Sequence, residues 1–90
     1  MNDLTVFSIL YVAMVEYNKL IDQYINRANS YYEHKVKEHK MYMRGLITMA
    51  TANGYTVVTE HYDIYINSKI KDIEINNKSL HEWHSELNKK

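Results

Sequence analysis

ATANGYTVV, residues 50–58, is where the chain changes its pattern. Before it, apolar side chains recur every three or four positions; after it, they alternate with polar ones. Gly45 and Gly54 are the only glycines and there is no proline, so Asn53-Gly54 is the strongest backbone punctuation available. Glycine just past a periodic run takes the left-handed conformation that closes a last helical turn. The stretch therefore divides the chain into a helical part, 3–52, and a β part, 55–75.

Upstream, Asn2 and Asp3 stand where a helix start needs a cap. Ser30-x-x-Glu33, preceded by Asn29, has capping-box spacing. It predicts a break at 29–30 and two helices, 3–28 and 31–52. The rival reading is a single fifty-residue helix, roughly 75 Å long.

The first helix is apolar around most of its circumference. Leu4, Phe7, Tyr11, Met14, Ile21, Ile25 and Ala28 form one stripe, and Val6, Leu10, Ala13, Tyr17, Leu20 and Tyr24 form another beside it. Only a strip of Thr5, Ser8, Glu16, Lys19, Gln23 and Asn26 is polar, and Val12 interrupts it. A helix apolar nearly all round is a buried one. Ninety residues offer few elements to cover it, so a homodimer through this helix is expected, with Phe7, Leu10, Tyr11, Met14, Tyr17, Ile21 and Tyr24 as the interface. The nine tyrosines support that reading, because tyrosine buries an apolar body with a polar tip and is enriched at interfaces.

The second helix is amphipathic. Val36, Met43, Ile47 and Ala50 make its apolar face, while Lys37, Lys40 and Arg44 share another. Glu33 precedes Lys37 by four residues, the favourable order for an ion pair. The basic cluster, with Tyr42 or the Tyr31-Tyr32 pair as a stacking surface, is a candidate contact for an anionic partner such as nucleic acid.

Downstream of Gly54, alternation predicts strands at 55–59, 62–66 and 71–75, joined as an antiparallel meander. The expected register sets Val57 opposite Ile64, and Ile64 opposite Ile73. One face then carries Tyr55, Val57, Tyr62, Ile64, Ile66, Ile73 and Ile75, the other Asp63, Asp72 and Glu74. Glu60-His61 is poor chemistry for the first hairpin. Ser79-x-x-Glu82 is a second capping box and predicts a short helix, 80–88, docking through Trp83. The expected fold is a single α+β domain over residues 1–90: two N-terminal helices, a three-stranded antiparallel β-meander and a short C-terminal helix.

Several functions are disfavoured. With no cysteine, disulfides, thiolate metal sites and cysteine nucleophiles are out. His81 and His84 share a helix face, but zinc needs at least three protein ligands and no spacing supplies the third. His34 and His39 are about 140° apart around a helix and cannot share a metal. No nucleophile or glycine-rich phosphate loop accompanies the acidic sheet face, so no enzyme, metal or cofactor is expected. Net charge is zero, with a basic excess only in residues 31–54, weaker than a dedicated duplex binder shows. The apolar run Leu4–Val15 is shorter than the ~20 residues of a membrane span, and the only charge before Glu16 is Asp3, not the positive flank of a signal peptide. No membrane association and a cytoplasmic location are expected.

Asn, Ile, Lys and Tyr are all abundant and share AT-rich codons, which points to a low-GC bacterium or one of its phages or mobile elements. The expected function is a small, non-catalytic, homodimeric protein-interaction module that binds and modulates, or inhibits, an unidentified protein. The alternative is a dimeric nucleic-acid-binding regulator working through the basic face of the second helix.

Overall fold

A computed structural model describes residues 3–27, 29–58, 69–70 and 72–87. Helix α1 spans Asp3–Arg27 and α2 spans Ser30–Ala52, packed side by side as an antiparallel hairpin. The break falls where expected, but its cap sits one residue earlier than the capping box proposed. Asn29 is extended (φ −122°, ψ 167°), and its side-chain oxygen accepts the Tyr32 backbone N–H at 3.1 Å. Ser30 is thereby inside the helix, because Asn29 already satisfies the orphan donor that the serine hydroxyl would have taken.

The other end of α2 closes as Asn53-Gly54 predicts. Gly54 has φ +92°; its N–H reaches the Thr51 carbonyl, and the Tyr55 N–H reaches back to that of Ala50. Those two bonds make a Schellman closure, which needs a residue free to adopt positive φ. The Tyr55 hydroxyl then donates to Asp3 Oδ1 at 2.9 Å, tying the exit of α2 to the start of α1.

The sheet has three antiparallel strands in chain order, though not the three expected. β1 (Val57–Val58) pairs directly with β2 (Glu74–Ile75), Val57 opposite Ile75, and β2 pairs with β3 (Lys78–Ser79). The expected strand 62–66, with its Val57–Ile64 and Ile64–Ile73 pairings, falls within residues 59–68, outside the described part. The hairpin that sets this register is Asn76-Asn77, with φ +51° and +69°. Two positive-φ residues form the primed turn whose twist matches paired strands, and asparagine tolerates that region better than most residues. Asn76 adds a clamp to β1: its N–H donates to the Thr56 carbonyl and its Oδ1 accepts the Thr56 N–H.

The alternation of faces holds where it is described. Ile73 and Ile75 are buried and Tyr55 and Val57 half-buried, while Val58 is exposed. Helix α3 (Leu80–Leu87) follows β3 at once, capped by Ser79, whose Oγ accepts the Glu82 N–H at 3.1 Å. Leu80 is its buried anchor, and Trp83 lies against Phe7 with ring centroids 5.7 Å apart.

One core runs through the domain: Val6, Phe7, Leu10, Ala13, Met14, Tyr17 and Ile21 from α1; Val36, Met43 and Ala50 from α2; Ile70, Ile73, Ile75 and Leu80 beyond. α3 and the segment around Ile70 cover one side of the helical hairpin. By length and composition α1 could cross a membrane, and 39% of its most apolar stretch is buried within the chain.

Candidate functional site

Phe7, Leu10, Met14, Tyr17 and Ile21 lie inside the chain's own core, and Tyr11 and Tyr24 pack half-buried against it. One face of this apolar helix is covered by α2, Ile70, Ile73 and Leu80, while Leu4, Val12 and Ile25 stay exposed. These seven side chains therefore pack within the chain, five of them fully and Tyr11 and Tyr24 in part. Burial also raises the Tyr17 hydroxyl from its usual value to about 12, because the phenolate would be stripped of water.

The basic cluster is divided. Lys37, Lys40 and Arg44 share one flank of α2, and Lys37 pairs with Glu33 at 3.4 Å. Tyr42 is not with them: two residues along a helix place it about 160° around from Arg44. It faces α1, lining an open depression with Ser8, Ile9 and Val12. The stacking surface and the cations proposed to act together are on opposite sides of the helix.

The histidines also separate. His34 pairs with Glu38 at 2.9 Å on the outer surface, whereas His39 Nε2–H donates to the Ala13 carbonyl at 2.8 Å and joins the two helices. His84 stacks on Tyr11 (centroids 4.4 Å, planes 10° apart), and His81 meets the same ring edge-on. Both act as aromatic surfaces docking α3. Among the described residues no three His, Asp or Glu side chains come together as a metal site.

What the structure adds is an open groove on the side of the hairpin opposite α3. Ile9, Leu46 and Met49 lie together along it, deepened by Val6, Leu10 and Ala50, and it continues to Val12 and Tyr42. Val12 is 57% exposed, Tyr42 52% and Met49 41%; Met41, on the outer face of the same helix, is 72% exposed. Exposed apolar side chains scattered singly are ordinary, but a contiguous set marks a contact surface.

The groove coincides with the uncharged half of the hairpin. Asp3 is the only charged residue of α1 before Glu16, and Arg44 the only one of α2 after Lys40. Asp3 is engaged by Tyr55, and Arg44 belongs to the opposite flank. Glu16, Lys19, Asp22 and Arg27 of α1, with Glu33, Lys35, Lys37, Glu38 and Lys40 of α2, crowd the other half. This polarity was readable: residues 4–15 and 45–52 carry no charge. The helical stripes do not reveal it, because Val12 is a lone interruption in a polar strip and Tyr42 and Met49 belong to no stripe. Comparison with known proteins finds no matching family model, no matching curated protein and no matching solved structure.

Proposed function

We propose that the protein is a small, non-catalytic interaction module that binds another protein and modulates it, with the uncharged groove between α1 and α2 as its contact surface. The observation that carries this reading is the coincidence of exposed Val12, Tyr42 and Met49 with the half of the hairpin that lacks charge. Interface centres are depleted in charge and enriched in tyrosine and methionine, and methionine adapts to partners of differing shape. The acids and bases of α2 support the non-catalytic part: Glu33, Glu38, His34 and Lys37 are spent in surface ion pairs. Burial of the α1 core stripe within the chain favours a soluble, cytoplasmic module over a membrane anchor. Inhibition by occupying a partner's surface, in a low-GC host or one of its phages, is the form of modulation that the size and codon bias suit.

A photo-crosslinking amino acid placed at Tyr42, in the groove, and separately at Lys37, on the basic flank, tests the reading in cells. Protein adducts concentrated at position 42 are expected. Adducts at position 37 alone, or adducts to nucleic acid, would overturn it and move the function to the Lys37, Lys40 and Arg44 flank.

A further inference from the structure

We infer that Asn53-Gly54 is a self-modifying site: Asn53 cyclises onto the Gly54 nitrogen and becomes aspartate or isoaspartate, in a reaction that the closed end of α2 holds back and whose product keeps that end open.

The pair is singular in chemistry and in place. It is the only Asn-Gly in the sequence, and both residues are exposed. Asparagine is among the less durable side chains, and the residue after it governs how fast it reacts. Attack on the side-chain carbonyl comes from the next residue's backbone nitrogen, which a Cβ hinders. Lys19, Arg27 and Lys78 hinder it after Asn18, Asn26 and Asn77, whereas Gly54 has no Cβ.

The step balances with water alone. Hydroxide removes the Gly54 amide proton, and the nitrogen forms a bond to Asn53 Cγ. The Cγ–Nδ2 bond breaks, and Nδ2 leaves as ammonia with a proton from water. Water then opens the cyclic imide. Opening at the side-chain carbonyl gives aspartate; opening at the main-chain carbonyl gives isoaspartate. Nothing is oxidised or reduced.

The structure restrains both reacting groups. The Gly54 N–H, whose proton must leave, donates to the Thr51 carbonyl at 3.0 Å. Asn53 Nδ2, which must depart, donates to the Met49 carbonyl at 2.8 Å. The Asn53 N–H is shared between the Met49 and Ala50 carbonyls, and the Tyr55 N–H reaches that of Ala50. The Tyr55 hydroxyl, bonded to Asp3, fastens the turn to α1. Reaction therefore waits for the last turn of α2 to open, and helix ends open at lower free energy than the whole fold.

The product does not close again. An aspartate at position 53 lacks the Nδ2 donor and sets a carboxylate beside the Met49 carbonyl, at the helix end that already carries partial negative charge. An isoaspartate routes the backbone through its own Cβ, so the spacing needed by the Gly54–Thr51 and Tyr55–Ala50 bonds is lost. The conversion is a one-way release of the joint between α2 and β1.

Incubation of the full chain at mildly alkaline pH, followed by peptide mapping and isoaspartyl methyltransferase labelling, tests this against the same chain in guanidinium chloride. Asn53 should convert first in the denatured chain, and at least tenfold more slowly in the folded one. Tyr55→Phe removes the fastening to Asp3 and should speed conversion of the folded chain roughly threefold, as loss of one hydrogen bond does, with no change in denaturant. Ile21→Val, a core change in the half of α1 away from Asp3, lowers global stability and should leave the folded rate unchanged. The converted chain, isolated by ion exchange, and Asn53→Asp should both exchange the Gly54 and Tyr55 amide protons faster than wild type. Equal rates in the folded and denatured chains, no conversion at Asn53 in the folded chain, or a Tyr55→Phe rate equal to wild type would overturn the inference. Acceleration by Ile21→Val would overturn it by placing the gate at global unfolding. A converted chain that exchanges those amides as slowly as wild type would overturn it too, because the closure would have re-formed.

Discussion

The Asn18 carboxamide exchanges two hydrogen bonds with the backbone of Ile70: its Nδ2 donates to the Ile70 carbonyl at 2.9 Å, and its Oδ1 accepts the Ile70 N–H at 2.8 Å. A side chain on α1 thereby does for one residue what a neighbouring strand does in a ladder. Ile70 is buried with no strand partner among the described residues, so without Asn18 two backbone groups would be desolvated and unsatisfied. The adjacent Lys69 is held by Asp22, one turn further along α1.

Asn18→Ala should therefore destabilise the chain by roughly 2–3 kcal/mol, more than an average hydrogen-bond deletion, because it orphans a donor and an acceptor together. Asn18→Asp keeps the acceptor but loses the donor and sets a carboxylate against the Ile70 carbonyl. Its loss should be larger at pH 7 than at pH 3. Urea unfolding at both values measures the two variants, and an Asn18→Ala midpoint equal to wild type would show that Ile70 is held by packing alone.

How much of this was legible follows from how far apart in the chain the decisive contacts lie. The end of α2, the break near Asn29 and the cap at Ser79 are each settled within five residues, by capping and positive-φ chemistry, and all three could be read. The strand register joins Val57 to Ile75, and no local pattern says which alternating segment Val57 will meet. The signal for the β2–β3 hairpin is Asn76-Asn77, a positive-φ pair just beyond 75, where the expected meander ended. For α1 the difficulty was different. Two apolar stripes were visible, but which neighbours would cover them depends on α2, Ile70 and Leu80. The stripes show that this helix must be covered, not which elements cover it.

The turn itself is open to test. Asn77 (φ +69°) makes no side-chain bond that the register depends on, so Asn77→Gly should fold with stability within about 0.5 kcal/mol of wild type. Asn77→Val, forcing a β-branched side chain into the same conformation, should cost about 1–3 kcal/mol. Thermal unfolding of the pair reports the difference. Equal melting temperatures would mean that the turn is not built on a positive φ at this position.

Gly45→Ala gives the opposite sign. The new methyl meets nothing within 4 Å and the helical conformation suits alanine, so the change should stabilise the isolated chain by about 1 kcal/mol. Measured by urea unfolding at low protein concentration, where association does not contribute, a loss of stability would reveal a contact at Gly45 that the fold does not contain.

Tyr17 predicts how stability responds to alkali. Its hydroxyl titrates near 12 in the folded chain, against an ordinary value of 10.0, so the folded state holds this proton more tightly than the unfolded one. The contribution is complete below pH 10. Above it, the unfolded chain binds fewer protons than the folded chain, and stability falls as pH rises towards 12. The difference corresponds to a loss on the order of 2 kcal/mol once both titrations are passed. Tyr55, raised by its hydrogen bond to Asp3, adds a loss of the same sign. Tyr17→Phe removes the first component, so the variant's unfolding midpoint should decline less steeply than that of wild type between pH 10 and 12. Parallel declines would place the titration of Tyr17 at its ordinary value and deny that burial among Leu10, Met14 and Ile21 sets it.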